Sequence, residues 1–175
     1  MRFKNVMVSV AAVMAAGMLV ADSARASAVP TILMGTQSID VNGWIDDDGE
    51  DLGITLGGAY GYFIQDLIRV GGYADIMLIG DFKYVSAGGL GEYNYDMGTQ
   101  IVPFVGGAAG LGWLDTAEDS ETVLEITGFG GARYFFVDYA AIGAQLNLSL
   151  ATQDIYNGGE DFVDWSISLH TSWFF

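Results

Sequence analysis

His170 is the only histidine in the sequence, and it lies close to side chains that accompany histidine in hydrolases. Ser168, Ser172 and Asp164 fall on the same face as His170 when this segment is read as a β-strand. A serine nucleophile needs its base within hydrogen-bond reach, whereas same-face neighbours on a strand are about 7 Å apart. The sequence contains no Gly-x-Ser-x-Gly motif. We therefore expect no catalytic residue here, and no cofactor.

A second candidate for chemistry is the acidic run Asp46-Asp47-Asp48-Gly49, which resembles part of a calcium-binding loop. Trp44 and Thr55 stand where the first and last ligands of such a loop belong, so the match is weak. The candidate metal ligands are Asp46, Asp48, Glu50 and Asp51.

Further ionisable residues occur inside segments in which polar and apolar residues alternate. Alternation with period two is typical of a strand with one apolar and one polar face. A charged side chain that points into the closed interior of a sheet needs a partner, because an unpaired buried charge is costly. We predict a paired polar network inside the protein, made of Asp40, Arg69, Asp75, Glu92, Glu125, Arg133, Asp164 and His170.

The clearest of these alternating segments is the last one, Val163 to Phe175. Its odd positions are almost all apolar, and most of its even positions are polar. A strand of about 13 residues is longer than the usual 5 to 6. At about 3.3 Å per residue and a tilt near 40°, it rises about 33 Å, which exceeds the apolar band of about 25 Å that a membrane barrel shows to lipid. The segment is therefore long enough to cross a bilayer.

Seven earlier segments show the same alternation and are separated by turn-forming residues. Glycines at 88, 89 and 91 weaken the fourth segment, so its limits are the least certain. The segments run from Ser38 to Ile45, Leu52 to Tyr62, Ile68 to Leu78, about Tyr84 to Tyr95, Ile101 to Leu114, Leu124 to Phe136, Ile142 to Leu150 and Val163 to Phe175. We predict an all-β fold, an eight-stranded antiparallel up-and-down transmembrane β-barrel.

Composition and the N-terminal segment narrow the function class. A net charge of −16 at pH 7 argues against nucleic acid as a partner, and 51% hydrophobic residues argue against a disordered acidic tail. Without cysteine the chain forms no disulfide. Arg2 and Lys4 precede an apolar run that ends near Ala24-Arg25-Ala26, which predicts a cleaved signal peptide over 1–26. A periplasmic lead-in over 27–36 and the barrel domain over 37–175 follow.

The end of the chain resembles the assembly signal with which bacterial outer-membrane β-barrels end. Phe175, Trp173, Leu169 and Ile167 match that signal, and Thr171 departs from it. From about Gln37 onward the chain resembles the small eight-stranded outer-membrane barrels, the family that includes outer membrane protein X and the barrel domain of outer membrane protein A. The resemblance implies a location in the bacterial outer membrane. It also implies as partners outer-membrane lipid and lipopolysaccharide, and during biogenesis the barrel-assembly machinery and periplasmic chaperones.

Loop lengths predict the orientation of such a barrel. An even number of strands returns both termini to one side, which the export signal places in the periplasm. Short turns near Asp66, Asp96 and Asp138 lie on that side, and longer loops at 46–51, 79–86, 115–122 and 153–161 lie outside. The outer loops are rich in acids, so divalent cations that bridge them to lipopolysaccharide phosphates are further expected partners.

Three alternatives to a membrane barrel with a structural or surface-interaction role remain at this point. A soluble ligand-carrying barrel has the same periodicity, but it needs an apolar interior, whereas Gln145, Asn147 and Ser149 put polar groups on the face opposite the leucines. A structural or surface-interaction role, without a wide pore, is the function that the sequence favours. Its rivals are an adhesion or ligand-binding module that acts through the acidic loops, and a lipid-acting enzyme.

Overall fold

The computed structural model describes residues 32–47, 52–79, 82–115, 120–153 and 162–175. The predicted signal peptide, the lead-in as far as residue 31, and the candidate metal ligands Asp48, Glu50 and Asp51 lie outside the described residues, as does the side chain of Asp46. No helix within the described ranges has the length and apolar character needed to span a membrane.

The described residues form eight strands, and every strand pairs antiparallel with its neighbours in the sequence. The first and last strands also pair, so the sheet closes into a barrel with the strand order of the chain. This confirms the predicted all-β, up-and-down architecture. The strands are β1 (Gln37–Asp47), β2 (Leu52–Gln65), β3 (Ile68–Ile79), β4 (Phe82–Asn94), β5 (Ile101–Asp115), β6 (Ser120–Val137), β7 (Ala140–Ala151) and β8 (Val163–Phe174).

Side chains alternate between the outer surface and the interior of the barrel, which we call the lumen. In β7 the outward Leu146 and Leu148 are each 55% exposed, whereas Asn147 between them is buried. The same alternation holds in β4, where Tyr93 is exposed and Glu92 and Asn94 are buried. The barrel thus has an apolar outside and a largely polar inside, the reverse of a soluble barrel.

The connection between β3 and β4 differs from the prediction. Ile79 pairs with Phe82, so β4 begins before Tyr84 and the long outer loop predicted over 79–86 is wrong. Alternation in fact continues through this region, with Tyr84 and Ser86 buried and Val85 exposed. The prediction failed because Lys83 puts a charge at an outward position, where the pattern calls for an apolar residue, so the alternation appeared to begin after it.

The end of the predicted lead-in, residues 32–36, folds back across the mouth of the barrel at which β1 begins and β8 ends. Gly35 adopts a φ of 93°, which an L-residue rarely adopts, and this turns the chain inward. The Gly35 N–H donates to the Phe63 carbonyl at 2.8 Å, and the Phe63 N–H donates to the Thr36 carbonyl at 2.9 Å. These bonds hold Ile32 in a buried apolar cluster with Phe63, Val102, Phe135, Ala141 and Phe174. We call this cluster the apolar seal.

Replacing Ile32 by Asp is expected to release residues 32–36, because the apolar seal offers no partner to a buried charge. The amides of Gly35 and Phe63 should then exchange hydrogen faster, while amides in the strands stay protected. Hydrogen exchange of the refolded protein measures this, and Leu33→Asp is the control because Leu33 is 51% exposed. Unchanged protection at Gly35 and Phe63 in Ile32→Asp would show that Ile32 does not anchor the segment.

Candidate functional site

Four charged side chains from four strands meet in the lumen directly beyond the apolar seal. Arg133 on β6 makes a bidentate pair with Glu92 on β4, with both Nη–Oε distances at 2.8 Å. Arg69 on β3 reaches Asp40 on β1 at 2.5 Å and Glu92 at 3.4 Å. The Arg133 Nη2 to Asp40 Oδ2 distance of 3.6 Å closes the group. We call these four residues the ion quartet. Its formal charge is zero.

Neutral groups complete the coordination of Arg133. The side-chain Oδ1 of Asn94 accepts from Nη1 at 3.1 Å, and the Ser172 hydroxyl accepts from Nε at 3.3 Å. The guanidinium carbon lies 4.0 Å from the centre of the Phe104 ring, which is a favourable cation–π position. Asn94 also donates to Glu92 Oε1 at 2.9 Å. Sequence analysis did not assign Asn94 or Phe104 to the network, because alternation gives a face but not the partners across the lumen.

Glycine makes room for the other arginine. A Cβ at Gly61 would collide with the stem of Arg69, so only glycine lets the guanidinium lie along the β2 wall and reach β1. Arg69 and Glu92 are also register partners on β3 and β4. The position of the quartet therefore follows from the pairing of β3 with β4 and from the space that Gly61 leaves on the neighbouring strand β2.

Three other predicted members of the network, Asp75, Glu125 and Asp164, lie apart from the ion quartet. They line a cavity of about 290 Å³, and the quartet lies at the same cavity's wall. The Tyr84 hydroxyl donates to Glu125 Oε2 at 2.9 Å, and the Asp164 carboxylate accepts from the backbone N–H of Trp165. A second apolar cluster lies toward the end of the lumen opposite the apolar seal, made of Tyr84, Leu114 and Val123 with Met77 and Ala151 against it.

His170 is buried beside the ion quartet without entering it. Its ring stands edge-on to Phe104, with centroids 5.8 Å apart, and rests against the backbone of Gly143. Neither ring nitrogen has a hydrogen-bond partner among the described residues. Ser172 instead bonds Arg133, and Ser168 accepts from Asn147 at 3.1 Å. The structure therefore does not assemble a serine–histidine pair from these residues.

Comparison with solved structures adds a second line of evidence. No protein-family model matches the sequence, and no curated protein matches it. The N-terminal β-barrel domain of Pseudomonas aeruginosa OprF matches with a TM-score of 0.61 at 14% identity, over 81% of this chain and 98% of that domain. Neisserial surface protein A matches with a TM-score of 0.56 at 16% identity, over 79% of this chain and 94% of that protein. The fold is that of the small eight-stranded outer-membrane barrels.

In this outer-membrane barrel fold, the residues that resemble an assembly signal form the outward face of β8. Ile167, Leu169 and Phe175 are exposed, and Trp173 is half-buried. Phe175 lies just beyond the strand, and its backbone exchanges two hydrogen bonds with Gln37 at 2.8 and 3.0 Å. Thr171, the departure from the signal, is buried although it occupies an outward position. The four matching residues thus lie on one surface, at the strand that closes the barrel.

Removing one acid of the ion quartet should destabilise the barrel. In Glu92→Gln, Arg133 loses its bidentate partner and Asp40 alone faces two buried guanidinium groups, at a cost of about 3–5 kcal/mol. Urea unfolding of the refolded protein measures the change. Asp75→Asn is the matched control, because Asp75 is an inward carboxylate outside the quartet, and its effect should be within about 1 kcal/mol. If Glu92→Gln and Asp75→Asn lowered the free energy of unfolding equally, the ion quartet would contribute no more to stability than another inward carboxylate.

Proposed function

We propose that the chain is an integral protein of the bacterial outer membrane, with a structural or surface-interaction role and no wide pore. The observation that carries the proposal is the outer surface of the barrel. Its outward side chains are apolar over strand after strand, and they are exposed in the isolated chain, as Leu56, Leu111, Leu146 and Ile167 are at 55–61%. A continuous exposed apolar surface of this extent needs an apolar solvent, which a bilayer supplies.

Aromatic residues at the two ends of the barrel support this placement. At the end that holds both termini, Tyr60, Tyr62, Tyr93, Tyr95 and Tyr134 are exposed, and the rings of Tyr93 and Tyr95 meet edge-on at 4.7 Å. At the other end, Trp113 and Trp165 are 67% and 70% exposed. Rings that are apolar with a polar edge concentrate at membrane–water boundaries, so the two groups fit two interfacial girdles.

A closed interior is the reason we infer no wide pore. The ion quartet spans the lumen from β1 to β6, and the apolar seal lies across the mouth beside it. Eight strands leave an interior that side chains can just fill. We place the end with both termini in the periplasm. The partners are then outer-membrane lipid and lipopolysaccharide, with divalent cations at the acidic loops and the barrel-assembly machinery and chaperones during biogenesis.

Membrane placement predicts a depth-dependent cost for charge on the outer face. Leu146 lies at the centre of β7 and Leu150 near its outer end. Leu146→Arg should lower the free energy of unfolding in a bilayer by about 2–4 kcal/mol, whereas Leu150→Arg should cost at most about 1 kcal/mol. A urea titration in lipid vesicles measures both. If the two changes cost the same, the outer face does not lie in a bilayer as proposed.

The terminal aromatic residues should be needed for assembly if they act as the signal that they resemble. Changing Trp173 and Phe175 together to Ser should leave the protein exported but not assembled, so that it accumulates in the periplasm. The control changes Trp113 and Trp165 to Ser, which removes two exposed aromatics and keeps the terminus. Cell fractionation, followed by a test for resistance to unfolding in cold detergent, reads the outcome. Normal outer-membrane levels of the terminal double variant would contradict the assignment.

A further inference from the structure

One wall of the lumen cavity is lined by neutral side chains that form hydrogen bonds. They come from the neighbouring strands β6, β7 and β8, and backbone pairing brings them together. Asn147 is the register partner of Ser166, Gln145 is that of Ser168, and Thr127 is that of Ser149. All of them line the cavity of about 290 Å³. We call this set the polar wall, made of Thr127, Gln145, Asn147, Ser149, Ser166 and Ser168.

Hydrogen bonds centred on Asn147 fix the orientation of the polar wall. Its Oδ1 accepts from Gln145 Nε2 at 2.7 Å. Its side-chain amide donates to the hydroxyl of Ser166 at 3.3 Å and to that of Ser168 at 3.1 Å. Both hydrogens of the Asn147 amide are thereby used. Each serine hydroxyl acts as an acceptor in these bonds, so each keeps its own hydrogen to donate.

The polar wall therefore presents both donors and acceptors to the cavity. The hydroxyls of Thr127 and Ser149 share one bond at 2.8 Å, so one of these two also keeps a hydrogen. The side-chain carbonyl of Gln145 is an acceptor. Thr127, Gln145 and Ser166 are only half-buried, and their remaining surface lines the cavity. A ligand hydroxyl both donates and accepts, so it matches this wall, whereas an ammonium group only donates and a carboxylate only accepts.

The wall across the cavity is flat and partly aromatic. In the closed barrel of eight strands, β3 lies opposite β7, and it contributes Tyr73. This ring lies along β4 and β5, because a Cβ at Gly88 or Gly110 would collide with its ring or hydroxyl. The small residues Ala59 and Ala108 line the cavity as well. A sugar ring, which has C–H groups on its faces and hydroxyls at its edge, fits between an aromatic wall and a polar one.

Charge and size narrow the ligand class. The carboxylates of Glu125 and Asp164 are engaged within the chain, by the Tyr84 hydroxyl at 2.9 Å and by the Trp165 N–H. Recognition is therefore assigned to the neutral groups of the polar wall. The volume of about 290 Å³ is just below the range of about 300–1,000 Å³ usual for ligand pockets, which suits one ring and not a chain of sugars.

We propose that the lumen cavity binds one neutral polyol ring of hexose size. Its hydroxyls lie on the polar wall, where they accept from the two serines and donate to the carbonyl of Gln145. One face of the ring lies against Tyr73. The same chemistry is found in a free sugar and in the headgroup of a glycolipid.

A glycolipid headgroup has a route into the cavity between β1 and β8. The pairing of these strands ends at Asn42 opposite His170. Within the described backbone, no pairing joins residues 43–47 to residues 163–169. Asn42 and the two serines of the polar wall flank this unpaired part and line the cavity. The lipid source rests on the membrane placement proposed above, whereas the free-sugar source does not.

Binding is tested by nuclear magnetic resonance on the side-chain amide signals of Asn147 and Gln145, with the protein refolded in phosphatidylcholine nanodiscs. Glucose should shift both signals in a saturable manner. Tetrahydropyran-2-methanol keeps the ring but lacks its ring hydroxyls, so it should bind at least about tenfold more weakly. A glucosyl diacylglycerol in the nanodisc is the second arm. Shifts with the glycolipid but not with glucose assign the site to a headgroup, and shifts with glucose assign it to a sugar in solution.

Ser166→Ala with Ser168→Ala removes two donors and little volume, and it should weaken binding of the sugar about tenfold. Ser38→Ala is the matched control, because Ser38 is an inward serine that is fully buried away from the cavity, and binding should not change. Folding of each variant is read from its resistance to unfolding in cold detergent. Unchanged affinity in the folded double variant, equal binding of glucose and the ring analogue, or no shift with either glucose or the glycolipid would overturn the proposal.

Failure of the site and failure of the proposed function give different results. Resistance to unfolding in detergent shows a folded barrel, and protease protection in lipid vesicles reports insertion separately. A barrel that inserts but shifts no amide signal lacks the polyol site and keeps its membrane placement. A barrel that binds glucose in detergent but does not insert keeps the site and contradicts the membrane placement.

Discussion

Hydrogen bonding between neighbouring strands is the constraint on which the rest of this structure depends. A chain that faces lipid has no water to satisfy its backbone, so each strand needs a partner on both sides and the sheet must close. Closure of the sheet fixes which residues of neighbouring strands are paired. This pairing decides which side chains lie at the same height along the axis of the barrel. Arg69 stands directly opposite Glu92 for this reason, and Arg133 reaches the same carboxylate from β6. The ion quartet therefore follows from the backbone pairing of the strands.

The fold could be predicted from the sequence to a large extent, because alternation with period two is a local signal. It indicated eight strands and put Arg69, Glu92 and Arg133 inside the barrel, where the structure has them. The partners across the lumen could not be predicted. The pairing of Arg133 with Glu92 skips β5 and depends on the stagger of the closed sheet, which no local pattern contains. Ile32 was missed for a related reason, because it packs into the apolar seal from a segment that belongs to no strand.

The interior has a layered order that alternation alone does not require. The apolar seal, the ion quartet, the acidic cavity and the second apolar cluster follow one another along the barrel axis. The quartet keeps its charges neutralised next to the seal, so the seal meets no net charge. The other inward acids, Asp75, Glu125 and Asp164, line the cavity, where there is volume for water. The buried ion pairs and the two apolar clusters therefore occupy different levels of the lumen.

The order of the strands has a consequence for how the barrel forms. Seven of its interfaces join strands that are consecutive in the chain, and hairpins of this kind close short loops quickly. The remaining interface joins Ile39 to Trp173, across nearly the whole barrel sequence, and its loop-closure entropy is the largest in the molecule. A curled sheet of hairpins should therefore precede the closed barrel, with β1 and β8 meeting last. The terminal strand would keep one unpaired edge until that final step.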